Sequence, residues 1–155
     1  MCADWGNKYL KDIVVEWFDK SEDASLNYFD RFIFLWIAFD AWSSNESGET
    51  HSDGVIEWLE NSKMEDQFRN TLPQIDAHLK ALVRQGYIES HVGKREPVRL
   101  NDPQEFCQVM KVIYRVRNNL FHGHKSPNDA RDLKLVTLAY AILSPLLKRF
   151  VNSLR

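Results

Sequence analysis

The stretch RVRNNLFHGHK, residues 115–125, concentrates side chains that bind phosphate groups or transfer protons. Its candidate site residues are Arg115, Arg117, Asn118, His122, His124 and Lys125. Guanidinium and ammonium groups neutralise phosphate charge, and imidazole exchanges a proton near neutral pH. The stretch therefore indicates chemistry on a phosphate-containing ligand, although a solvated basic surface would have the same composition.

Arg117 stands where the helical pattern calls for an apolar side chain. On a wheel of 100° per residue, Arg117 falls inside the apolar stripe that runs from Phe106 to Leu120. Burying an unpaired guanidinium is too costly, so the helix must there face a cleft, another subunit or a carboxylate. Asp30 and Asp40, on an earlier aromatic segment, are the candidate partners of a purely structural ion pair.

His122 lies on the face of Asn118 rather than of Arg117, but Gly123 follows it and should end the helix. In a last turn the chain can bring the imidazole back towards Arg117, and a helix C-terminus favours its protonated form. The next helix is predicted to begin at SPND, with Ser126 as its cap. Its free N–H groups would suit a phosphate.

Apolar residues at helical spacing indicate an all-α protein of one domain, residues 1–155. We predict a bundle of four main helices plus one shorter helix. Helical patterns cover 7–20, 24–43, 72–86, about 101–121 and 126–155, with a weaker one near 53–70. Pro73 is expected in the first turn of the 72–86 helix and Pro145 is expected to kink the last helix. Residues 43–54 read as a loop and 87–101 as a loop or short hairpin.

The composition of the chain indicates which broad class of protein it belongs to. Cys2 and Cys107 form neither a disulfide framework nor a metal-ligand spacing, and the N-terminus lacks the pattern of a signal peptide. The longest apolar run, 32–39, is too short to span a bilayer, so we expect a cytoplasmic protein. Net charge is −2, but 106–128 carries four Lys and Arg residues and no acid, which would attract a polyanion.

At these residues the chain resembles the HEPN superfamily. Its ribonuclease members carry an Arg and a His separated by four to six residues, the first of which is usually polar. Arg117-Asn118-Asn119-Leu120-Phe121-His122 matches that motif with four intervening residues. The aromatic segment NYFDRFIFLWIAFDAW and the apolar helix after the motif resemble the family on either side. These segments cover roughly half of the chain, and Asp40 stands where many relatives have Asn.

The motif alone has little weight, because 10 Arg and 5 His give about 0.3 chance matches for each spacing. Arg84 and His91 form a second match, which we read as accidental because the chain leaves the helix after Gly86. The aromatic helix and the last helix frame only Arg117 and His122.

The resemblance implies a metal-independent endoribonuclease that cleaves RNA through 2′-OH attack and requires no cofactor. His122 would be the acid–base group, Arg117 would stabilise charge on the phosphate, and Asn118 would orient either. Arg115, His124 and Lys125 would be auxiliary phosphate contacts. The resemblance further implies a homodimer with a shared groove and a toxin or antiviral-defence role, checked by an antitoxin or other partner.

Two other functions stay open. One is a non-catalytic HEPN-like module that binds a nucleotide or a protein and dimerises, in which Arg117 would be locked to an acid. The other, metal-dependent hydrolysis, is weakly supported, since His51, His78 and His91 are scattered and no paired-carboxylate signature is present.

Overall fold

The computed structural model describes residues 6–91, 93–123 and 125–155, and the described chain is helical apart from its connections and one isolated β-bridge. The predicted all-α class is confirmed. The described residues form six helices, where the predicted bundle has four main helices plus one shorter helix: α1 (Lys8–Ser21), α2 (Tyr28–Ser47), α3 (Ser52–Leu59), α4 (Lys63–Arg84), α5 (Phe106–Phe121) and α6 (Ala130–Leu154).

Aromatic side chains of α2 form the centre of the core. Trp36 packs against Phe39 with ring centroids 4.9 Å apart, and the ring of Tyr114 on α5 stands edge-on to Trp36 at 4.8 Å. Helices α1 and α6 also pack against α2, and α4 packs against α6. The apolar run 32–39 is therefore part of a helix in the middle of the bundle, as its pattern predicts.

The fourth helix is longer than the predicted 72–86 helix. It begins at Lys63, where Ser62 accepts a hydrogen bond from the backbone N–H of Glu65, and it continues through Pro73. The predicted helix start at Pro73 is wrong. Buried residues repeat along one face on both sides of the proline, and their burial offsets its missing donor. These residues are Met64, Phe68, Thr71, Ile75, Leu79 and Leu82.

The ends of three other helices also differ from prediction. Helix α2 runs four residues past 43, to Ser47, and Gly48 then ends it with φ 73°. Helix α5 begins only at Phe106, because Asp102 accepts from the N–H of Gln104 and holds a turn. Helix α6 begins with Asp129 rather than Ser126 as its cap, since the Asp129 carboxylate accepts from the N–H of Asp132 at 2.8 Å.

The connection predicted over 87–101 as a loop or short hairpin is closed by one antiparallel bridge, in which Ile88 and Val98 exchange two backbone hydrogen bonds of 2.7 and 3.1 Å. We refer to residues 88–98 as the hairpin. It packs against the second half of α5 through the side chains of Arg115 and Asn119.

Helix α6 extends past Pro145 to Leu154. In the described part of the chain it alone is long and apolar enough to cross a membrane by length and composition. Of its most apolar window, 56% is buried inside the fold, so this is weak evidence for a membrane span.

Candidate functional site

A cavity of about 280 Å³ opens at the C-terminal half of α5. Its walls come from α2, the connection between α2 and α3, the hairpin and α5. The charged, imidazole and phenol side chains on its walls are Asp40, His51, Arg95, Tyr114, Arg117 and His122. Two arginines and two histidines thus face one carboxylate, an arrangement that favours an anionic ligand.

Arg117 is half-buried in this cavity, as its place in the apolar stripe predicts. Its Nη1 donates to the Oδ1 of Asn118 at 2.9 Å, and its guanidinium carbon lies 4.5 Å from the ring centre of Phe121 and 5.8 Å from that of Trp36. No carboxylate of the described residues lies within ion-pair distance of it. Stacking on aromatic rings therefore holds the guanidinium in place without neutralising its charge.

Two buried N–H donors at the cavity lack an acceptor. Nε of Arg117 and Nε1 of Trp36 are inaccessible to solvent and have no hydrogen-bond partner among the described residues. Trp36 itself is only 2% exposed. A buried donor without a partner costs about 1–3 kcal/mol, so the fold holds both groups at some cost in stability.

His122 is the residue at which α5 ends, and it lines the same cavity as Arg117 although an ideal wheel places the two on different faces. Its backbone N–H bonds to the carbonyl of Asn118, and Gly123 follows with φ 74°. The turn after the last helical residue thus brings the imidazole to the cavity. The side chain is exposed and makes no hydrogen bond to a described residue, so both ring nitrogens are open to a ligand.

Asp30 and Asp40, the two carboxylates considered as partners of Arg117, do not form an ion pair with it. At the start of α2 the Asp30 carboxylate accepts from the side-chain amide of Asn27, and the backbone N–H of Asp30 donates to the Asn27 side-chain oxygen. Asp40 lines the cavity without an ion pair and is exposed. Burial raises the pKa of Tyr114 well above its usual range, the Asp40 charge raises it further, and Arg117 opposes both. The Tyr114 phenol is therefore neutral and offers a hydrogen bond rather than a negative charge.

Arg115 does not reach the cavity, and its predicted role as a phosphate contact is not retained. It is 8% exposed, and its two terminal nitrogens donate to the carbonyls of Ile88 (3.0 Å) and Glu96 (2.8 Å) in the hairpin. Burial lowers the pKa of its guanidinium, and the nearby charge of Arg95 adds to this. Arg115 lies two residues before Arg117 and so on the other side of α5, where the hairpin carbonyls need donors.

Lys125 is likewise a structural residue rather than a free phosphate contact. Its side chain is only 3% exposed, and Nζ lies 3.0 Å from a carboxylate oxygen of Asp132. The same carboxylate accepts from the backbone N–H of Ser126, and Asp129 caps α6 beside it. Two carboxylates at the start of α6 disfavour the phosphate site predicted there. The sixth candidate, His124, lies outside the described residues.

Reading the sequence alone missed several residues of the cavity, among them Trp36, His51, Arg95 and Tyr114. Trp36 reads as an ordinary core aromatic residue, and His51 and Arg95 lie in polar connections far from the motif. One signal was present, since His51 precedes an amphipathic stretch at a position where helices prefer Ser, Thr, Asp or Asn. In the second motif match, Arg84 is exposed at the end of α4 and His91 lies in the hairpin, and neither lines the cavity.

The described residues contain no group of three or more His, Cys, Asp or Glu side chains that could hold a metal ion. No protein-family model matches this chain, and comparisons with curated proteins and with solved structures find no match either. The resemblance to the HEPN superfamily therefore stays a prediction that rests on the residues quoted for it.

Proposed function

We propose that the cavity is the active site of a metal-independent endoribonuclease of the HEPN type. In this proposal RNA binds with one phosphate beside Arg117, and the 2′-OH of the preceding ribose attacks that phosphorus. The products are a 2′,3′-cyclic phosphate and a free 5′-OH. RNA supplies the nucleophile, so the protein needs to contribute only charge stabilisation and proton transfer.

The observation that carries the proposal is that the guanidinium of Arg117 borders the cavity and forms no ion pair with a described carboxylate, so its terminal N–H groups are available as donors. A phosphate or phosphorane oxygen is an acceptor for such donors, and its charge matches the excess of cationic side chains on the cavity wall. A closed ion pair between Arg117 and an acid would favour the non-catalytic binding module instead, and the described residues form none.

Each motif residue then has a role that follows from its contacts. Arg117 neutralises charge that develops on the phosphorane, Asn118 orients Arg117 through the 2.9 Å hydrogen bond, and His122 transfers a proton. Dimerisation, a toxin or antiviral role and control by an antitoxin belong to the same proposal, and their support is the resemblance alone.

The test is to incubate the purified protein with mixed cellular RNA in EDTA beside His122→Ala. We expect cleavage that leaves cyclic-phosphate ends, slowed about 10²–10⁴-fold by the substitution, since this is the usual contribution of a general acid or base. His78→Ala is the matched control, because His78 is an exposed histidine of α4 that lies outside the cavity. An oligonucleotide with one ribose among deoxyriboses should be cut only after that ribose.

Intact RNA from a folded wild-type protein would contradict the proposal and favour the binding module. Cleavage that EDTA abolishes would instead favour metal-dependent hydrolysis. Equal activity of the wild type, His122→Ala and His78→Ala would show that a contaminating nuclease or a different site cuts the RNA.

A further inference from the structure

The wall of the cavity carries a second histidine, His51, which the motif does not include. It lies in the connection between α2 and α3, far from His122 in sequence, and the fold brings both to one space of about 280 Å³. Both imidazoles therefore border the space that a bound phosphodiester would occupy.

The imidazole of His51 makes no capping or other hydrogen bond to the described part of the chain that would explain a structural role. His51 is the residue before α3, and its backbone carbonyl accepts from Val55, but its side chain makes no capping hydrogen bond. At four other helices the corresponding side chain does cap, and these residues are Asn7, Asn27, Ser62 and Asp129. The ring is exposed and makes no hydrogen bond to the chain that the structure describes.

The proposed reaction requires two proton transfers at different oxygens. A base must take the proton of the 2′-OH, and an acid must supply one to the departing 5′-oxygen. His122 alone can serve only one of them at a time. The two histidines also stand at opposite helix ends: His122 follows the C-terminal end of α5, where the helix dipole is negative, and His51 precedes the N-terminal end of α3, where it is positive.

We infer that His51 is the general base and His122 the general acid of one two-histidine site, an assignment that rests on the proposed ribonuclease function. Neutral His51 takes the proton from the 2′-OH while O2′ bonds to phosphorus. The P–O5′ bond breaks as protonated His122 gives its proton to O5′. His51 ends protonated and His122 neutral, and exchange with water restores both.

The assignment also makes the site complete within one protomer, since Arg117, His51 and His122 line the cavity of a single chain. Asp40 is the carboxylate on the same wall and repels the phosphate, while Arg95 and Arg117 attract it. The Tyr114 phenol stays neutral and adds no negative charge to the wall.

The test is single-turnover cleavage of two oligonucleotides that differ in one atom, the bridging 5′-oxygen or a sulfur in its place. A thiolate leaves without a proton, so the sulfur substrate needs a base but no acid. We expect His51→Ala to slow both substrates about 10²–10⁴-fold. His122→Ala should cleave the oxygen substrate more slowly by a similar factor, but its rate on the sulfur substrate should be within about tenfold of the wild-type rate. His78→Ala should cleave both substrates at the wild-type rate.

His51→Asn separates a catalytic role from a structural one. Asparagine is a preferred residue before a helix, so this variant should fold at least as stably as the wild type and yet be as slow as His51→Ala. Circular dichroism and urea unfolding check the fold of each variant.

The outcomes distinguish the two proposals. If the wild type cleaves RNA and both His51→Ala and His51→Asn cleave it at the same rate, the role of His51 is overturned and the ribonuclease proposal stands. Rescue of His51→Ala rather than His122→Ala by the sulfur substrate would overturn the assignment of base and acid. No cleavage by a folded wild-type protein would overturn the ribonuclease and, with it, this inference.

Discussion

At the scale of single residues, the guanidinium of Arg117 is placed by contacts that a lysine cannot reproduce. Its Nη1 bonds to Asn118 while its plane lies near the rings of Phe121 and Trp36. A planar group with several donors can hold Asn118, stack on a ring and still offer N–H groups to a phosphate, whereas an ammonium group is a point charge on a flexible stem.

Arg117→Lys is therefore expected to lower the single-turnover rate of RNA cleavage about 10²-fold, because charge is kept but the directed donors are lost. Binding of a 2′-deoxy oligonucleotide should weaken only a few-fold, since the charge that attracts phosphate remains. Arg69→Lys, at an exposed residue of α4 that pairs with Glu65, is the matched control. A rate within threefold of the wild type would contradict a role for the directed donors.

Cys107 shows how a local environment suppresses reactivity. Burial, and then the hydrogen bond and charge of Glu60, raise the pKa of the Cys107 thiol to about 12 from its usual 9. The thiolate is the reactive form, so this thiol is largely inert at pH 8.

In a Cys2→Ser background, we expect Cys107 to react with a thiol reagent at pH 8 about 10- to 100-fold more slowly than it does in urea. The smaller thiolate fraction is partly offset by the higher nucleophilicity of a weakly acidic thiol. Glu60→Gln removes a charge that raises the pKa and should speed the reaction in the folded protein. Equal rates in the folded and unfolded protein would refute this account.

At the scale of elements, side chains from the second half of α5 contact two different parts of the protein, the cavity and the hairpin. Arg117, Asn118 and, in the turn after the helix, His122 border the cavity, while Arg115 and Asn119 hold the hairpin. Asn119 is fully buried, donates to the carbonyl of Glu89 and accepts from the N–H of His91. The helix thus also positions the hairpin, which brings Arg95 to the cavity wall.

Arg115→Met should lower the free energy of unfolding by about 2–4 kcal/mol, because two carbonyls lose charged hydrogen-bond donors. Hydrogen exchange of the amides of Ile88 and Val98 should quicken, as the bridge between them loses its anchor. RNA cleavage should suffer more in KM than in kcat, since the hairpin carries Arg95 and not the proton-transfer groups. Arg149→Met, at an exposed residue of α6, is the control. Unchanged stability would contradict the anchoring role.

At the scale of the whole molecule, charge is divided along the chain. Residues 1–76 carry a net charge of −10, and residues 77–128, which contain the hairpin and α5, carry +5. The cavity lies where the two parts meet, since α2 and the α2–α3 connection come from the acidic part. Residues 129–155 add a net charge of +3, so a polyanion such as RNA would be attracted by residues 77–155 and repelled by residues 1–76.

A mixing experiment tests whether one chain or two complete the site. We expect a mixture of Arg117→Ala and His122→Ala proteins, unfolded and refolded together, to stay inactive, because both side chains line the cavity of a single chain. If instead a homodimer combines Arg117 of one protomer with His122 of the other, half of the dimers regain one intact site and about a quarter of the activity returns. Light scattering on the same samples gives the oligomeric state.

Several features of this protein follow from the sequence by itself, because their causes are local. Apolar spacing of 3.6 residues predicts the helices, Gly123 ends α5 where expected, and the place of Arg117 in the apolar stripe predicts a guanidinium that faces a cleft, another subunit or a carboxylate, of which the structure shows the cleft. The start of α4 was mispredicted, because Pro73 is a local signal that burial of a continuous face overrides.

Only the tertiary structure decided which of the basic residues remain free to bind a ligand. Arg115, Arg117 and Lys125 look alike in sequence, but hairpin carbonyls occupy Arg115, Asp132 occupies Lys125, and Arg117 keeps an unpartnered donor. Those partners lie on other elements or across a turn, and helical spacing carries no information about them. The same holds for His51 and Arg95, which reach the cavity through packing between elements distant in sequence.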